Sequence, residues 1–98
     1  MTAAQPTIQI DNERVKVTEW RFAPGAETGW HVHAMEYVVV PLYDGTLRIE
    51  SSTGTTEVAL QHGASYTRRA GTEHNVINAT GVEYAFVEIE LKPDPTVD

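Results

Sequence analysis

The sequence predicts an all-β fold, a barrel or sandwich of short antiparallel strands, and three observations predict it. Glycine closes a turn signal at Pro24-Gly25, Asp44-Gly45, Thr53-Gly54, His62-Gly63, Ala70-Gly71 and Thr80-Gly81, and from Gly45 onward these recur every eight to ten residues, the spacing of a chain that folds back and forth as strands. The runs between them are short and rich in Val, Ile, Thr, Tyr and Phe, side chains that suit a pleated, half-buried surface. No segment sustains a helical period.

Taken in order, the first strand covers 14–22 and ends at the Pro24-Gly25 turn. The second, 29–33, carries His31-Val32-His33; alternate residues of an extended chain share a face, so both imidazoles aim at one side. A third, 36–42, contains Tyr37-Val38-Val39-Val40-Pro41-Leu42, and Pro41, which cannot donate to a ladder, predicts a bulge or an edge there. Strands at 45–50 and 55–60 flank the Thr53-Gly54 turn, and 64–68 leads into Ala70-Gly71. The run 73–78 brings His74 from a neighbouring strand, and 82–91 closes the set with Tyr84 and Phe86 in alternation. Residues 92–98 read as a loose tail, which leaves a single domain over 1–98 with its core at about 14–91.

Composition narrows the function. Ninety-eight residues give one core and no room for a separate cofactor domain. Fourteen acidic against seven basic side chains leave a formal charge of -7, which disfavours nucleic acid and anionic membrane as partners. There is no cysteine, so disulfides and thiolate metal sites are excluded and imidazole and carboxylate are the strong ligands available. The start lacks a basic region and an apolar segment, and no apolar run reaches spanning length; the expectation is a cytoplasmic protein.

Two motifs carry the chemistry. Gly25 is followed after five residues by His31-Val32-His33, with Gly45 further on; Gly63 is followed by Arg69-Ala70-Gly71, His74 and Asn78. Three convergent imidazoles are a donor set for a divalent transition metal. In this spacing the chain resembles the cupin family over roughly residues 15 to 91. The resemblance implies a jelly-roll barrel of short antiparallel strands and a metal held by His31, His33 and His74. Trp20-Arg21-Phe22-Ala23-Pro24-Gly25, the Tyr37–Leu42 run, the Glu73–Asn78 run and Val87-Glu88-Ile89-Glu90 are similar to the small cupins associated with β-alanine degradation.

The chain departs from the family pattern at two positions. Arg69 stands where proline is usual, and Val38, separated from Gly45 by six residues, stands where the metal-binding glutamate is expected. Glu36 shares the strand parity of Val38 but sits about 6 to 7 Å further along the strand. It becomes a fourth ligand if the backbone at Ala34-Met35 bulges; otherwise it is a free carboxylate near the pocket, available as a catalytic general base. Among the remaining residues, His62 beside Gly63 reads as structural and Asn78 as a fastener of a strand end. Met35 fills a gap, Tyr66 and Tyr84 are the aromatic residues suited to a polar contact, and Arg69 is the arginine best placed to recognise a carboxylate.

The expected function is that of a metal-binding small cupin with Fe(II), Mn(II), Ni(II) or Zn(II), acting on a small organic metabolite by dioxygenase-, isomerase- or lyase-like chemistry. A non-catalytic ligand-binding or sensing module is the alternative. Exposed sheet edges and a limited core predict a homodimer.

Overall fold

The computed structural model describes residues 2–94, and among them the chain forms nine strands and no helix. These are β1 (Gln5–Asp11), β2 (Val15–Phe22), β3 (His31–Val32), β4 (Tyr37–Pro41), β5 (Gly45–Ser51), β6 (Gly54–Leu60), β7 (Tyr66–Arg68), β8 (Glu73–Asn78) and β9 (Tyr84–Leu91). They build a five-stranded sheet in the order β1-β2-β9-β4-β7 and a four-stranded sheet in the order β3-β8-β5-β6. All strand pairs are antiparallel. Strands distant in sequence lie side by side, as in a jelly roll. The sheets face one another but do not join into one continuous barrel.

Alternation decides what lies between the sheets. Along β9 the buried Tyr84, Phe86 and Glu88 point one way, while the half-buried Val87 and Ile89 point the other. In β4 the buried residues are Tyr37, Val39 and Pro41. One apolar cluster joins Phe22, Tyr37, Val39, Tyr84 and Phe86 of the larger sheet to Leu47, Leu60 and Val76 of the smaller. Gly45 sits against this core: a Cβ there would lie 2.6 Å from the Thr80 methyl and 2.8 Å from the Tyr84 ring. Any side chain would displace both.

Two points, β1 and the tail, differ from the sequence reading, while Pro41 meets the expectation of a locally unpaired edge. β1 was not expected, because Gln5-Pro6-Thr7-Ile8-Gln9-Ile10-Asp11 mixes polar residues and a proline into a short run. It is an edge strand, exposed throughout, where proline is tolerated. Pro41 is buried near the end of β4, beyond the Tyr37–Val39 stretch that pairs with β7, and its carbonyl accepts the Gly63 N–H at 2.8 Å. The supposed tail begins fastened: the Lys92 N–H donates to the Arg14 carbonyl, and its ammonium pairs with Asp11. Residues 95–98 of that stretch lie outside the described residues. No helix among the described residues is long and apolar enough to cross a membrane.

Candidate metal centre

β3 and β8 pair so that His31 stands directly opposite His74. His33 lies just past β3, where its N–H donates to the Thr72 carbonyl at 2.9 Å and its carbonyl accepts the Gly71 N–H at 2.7 Å. Gly71 adopts a φ of +88°, a left-handed conformation that costs most other residues free energy. That turn therefore stitches the two histidine motifs together through the backbone.

The result is a tight group. His31 Nε2 lies 3.0 Å from His33 Nε2, which lies 3.2 Å from His74 Nε2. Neighbouring ligands on a metal at about 2.1 Å, set near right angles, stand about 3.0 Å apart. The Nδ1–H of His31 donates to the Gly29 carbonyl at 2.8 Å, which leaves Nε2 as a bare lone pair. Burial, followed by the charges of the neighbouring imidazoles, lowers the pKa of His33 to about 4. His74 falls to about 4 as well, through burial, His31 and the nearby Arg68. His33 and His74 are thus held neutral where the three nitrogens converge, and a cation placed among them would accept their lone pairs. The donor set fits a divalent transition metal.

Further contacts hold the imidazoles. Buried Asn75 accepts the Gly29 N–H at 2.9 Å, and its amide donates to Glu27 at 3.2 Å and Glu50 at 3.0 Å. It thereby fixes the turn whose carbonyl orients His31. His33 stacks on Tyr37 with ring centroids 3.8 Å apart.

The structure does not bring Glu36 to this group. It is exposed, precedes β4, and its backbone carbonyl accepts the Leu91 N–H. The parity shared with Val38 is the outward one, because the inward set of β4 is Tyr37, Val39 and Pro41. Tyr37, separated from His33 by three residues where Val38 is separated by four, takes the inward place beside the histidines. Its hydroxyl is the one buried side-chain polar atom among the described residues without a hydrogen-bond partner.

The carboxylate that does approach is Glu88, on β9. It is 8% exposed, its Oε1 lies 3.8 Å from His33 Nε2, and its Oε2 accepts the Trp20 indole N–H at 3.4 Å. Burial, and then the charge of Glu90, raises its pKa to about 7. The signal in the sequence was the phase of Tyr84-Ala85-Phe86-Val87-Glu88, which puts a glutamate on the core face.

Beside the histidines a cavity of about 230 Å³ runs between the sheets, with Leu47, Ile49, Val58 and Phe86 among its apolar walls. Its polar groups include His31, His74, Tyr66, Arg68 and Glu88. Arg68, not Arg69, lines it: Arg68 pairs with the inward Tyr37 and, itself exposed, stands where the cavity meets solvent, while Arg69 lies in the turn beyond. Tyr84 points elsewhere and donates to the Tyr43 carbonyl at 2.9 Å. Met35 is half-buried and does not line the cavity, and His62 is exposed at its turn. The amide of Asn78 fastens the Phe22, Ala23 and Val82 carbonyls.

Comparison with known proteins places these features in context. The Cupin domain family matches residues 18–90. The β-alanine degradation protein BauB of Pseudomonas aeruginosa is 60% identical over 89 residues, which cover 91% of this chain and 94% of that one. A cupin domain from Bordetella pertussis is also 60% identical, superposes with a TM-score of 0.93, and is matched over 94% of this chain and 96% of its own. A cupin of double-stranded β-helix fold from Methanocaldococcus jannaschii shares the fold at a TM-score of 0.77 with only 9% identity, over 94% of this chain and 83% of its own.

Proposed function

The chain belongs to the cupin family, and from that premise we propose that it is a metal-binding small cupin acting on a small organic metabolite. His31, His33 and His74 hold a divalent transition ion, Fe(II), Mn(II), Ni(II) or Zn(II). The observation that carries this reading is the convergence of three Nε2 atoms, with a cavity opening on the same point. A bound ion would supply Lewis-acid polarisation of a carbonyl or carboxylate, or redox chemistry if it is iron.

The protein's own residues supply the rest. Gly29, held by Asn75, orients His31, and the apolar walls exclude water from the reacting end. Glu88, in reach of the histidine group, accepts or returns a proton at its Oε1. The name of the 60% identical relative supports a degradative role of the same kind. A cytoplasmic homodimer completes the proposal. The missing consensus carboxylate favours the rival reading, a ligand-binding module without catalysis.

Elemental analysis of untagged protein separates the readings. Wild type and His62→Ala are expected to retain stoichiometric metal while His74→Ala loses it. Equal metal content in all three, or none in any, contradicts the assignment.

A further inference from the structure

Resting on the metal-binding reading, we propose that the cavity takes a small carboxylate anion with a short apolar body, its carboxylate held by Arg68. Arg68 occupies the inward register of β7, opposite Tyr37, and lines the cavity that opens on His31 and His74. Its guanidinium lies over the Tyr66 ring, 4.6 Å from the centroid, and Nη1 donates to the Thr67 carbonyl at 3.0 Å. Those two contacts hold the group in place and leave most of its N–H fork free.

That fork pairs with no carboxylate among the described residues, whereas Arg14, Arg21, Arg48 and Lys92 each do; Lys16 and Arg69 also form no ion pair there, but of these three only Arg68 lines the cavity. In a chain of net charge -7, an unpaired cation on a cavity wall is a receptor for an anion. A planar guanidinium fits a carboxylate through two parallel hydrogen bonds. Glu88, the carboxylate that also lines the cavity, forms no ion pair with Arg68: it sits on β9, with β4 between it and β7.

The walls define the rest of the ligand. Leu47, Ile49, Val58 and Phe86 offer no partner to a hydroxyl or charge directed at them, so the part of the ligand that meets these walls is apolar. The cavity volume of about 230 Å³ lies below the range for drug-sized ligands, about 300 to 1,000 Å³. A short-chain acid matches on size, charge and polarity.

The test uses Co(II) as the metal and butyrate as the probe, with butanol and butylamine as controls of equal chain length. Calorimetric titration of the Co(II)-loaded protein is expected to show butyrate binding at least about tenfold tighter than either control, the worth of one charge-assisted pair. Arg68→Ala should lose at least about tenfold in butyrate affinity while keeping the Co(II) absorption spectrum, with Arg68→Lys in between. Unchanged affinity in Arg68→Ala, butanol binding as tight as butyrate, or no butyrate binding to wild type overturns the proposal. Absence of Co(II) absorption in wild type counts instead against the metal reading. In that event the same titration of metal-free protein still decides whether Arg68 holds the acid.

Discussion

His33 and His74 are kept neutral by burial among other imidazoles, and this ties the stability of the metal-free protein to pH. Both have folded pKa values of about 4 against 6.5 for an ordinary histidine. Between those values the unfolded chain binds the extra protons. Their contribution is full above pH 6.5 and is lost as the pH falls towards 4. Glu88 works the other way: its folded pKa of about 7 exceeds the ordinary 4.5, so its contribution is full below 4.5 and fades as the pH rises through 7. Two histidines against one glutamate leave a net loss of stability on acidification from pH 6.5 to 4.5. Glu88→Gln removes the opposing member, and the slope of stability against pH is expected to steepen. Urea unfolding at pH 5 and 6 checks this; an equal or shallower slope in the variant contradicts it. At this scale the sequence was legible where a spacing defined a residue, as for His31, His33 and His74. It failed at Glu36, because the bend at Ala34-Met35 uncouples the parity of β4 from that of β3, and a slip of one residue exchanges inside for outside. Tyr37 was hidden by the same slip, whereas Glu88 was readable from the phase of β9, where it follows Tyr84 and Phe86 on the core face.

The elements that matter most to the site are short: β3 has two residues and β7 three. Such strands do not position side chains by ladder alone, so the turns do it for them. Gly71, at φ +88° and donating to the His33 carbonyl, is the turn on which both motifs depend. Gly71→Ala is expected to cost about 1 to 2 kcal/mol of stability from the left-handed conformation and to weaken metal binding, whereas Gly81→Ala, at φ +83° but remote from the histidines, should cost similar stability and leave metal binding intact. Thermal unfolding and metal titration of the pair measure both effects, and equal metal affinity in the two variants contradicts the role given to Gly71. The glycine rhythm made most strands readable in advance. β1 was not, since an exposed edge strand buries no face and so imposes no alternation on its sequence. Its exposed Ile8 and Ile10 are the only apolar trace of it.

The molecule as a whole leaves one sheet face incompletely covered. On the outer side of the larger sheet, Val17, Ile89 and Val38 form one row across three strands, with Val87 and Val40 beside them, all half-buried. Together with the open edge at β1, this face supports the homodimer proposed above, and light scattering is expected to give twice the chain mass; a monomer at high concentration contradicts it. Net charge and composition could not show where the two sheets part to form the cavity, because that depends on how far apart they pack. The central claim is that two motifs distant in sequence build one metal centre. Anomalous diffraction from crystals of protein purified without a histidine tag tests it most directly. A single peak at about 2.0 to 2.2 Å from Nε2 of His31, His33 and His74 is the predicted result, and a map with no peak there, or with the metal at another site, would contradict it.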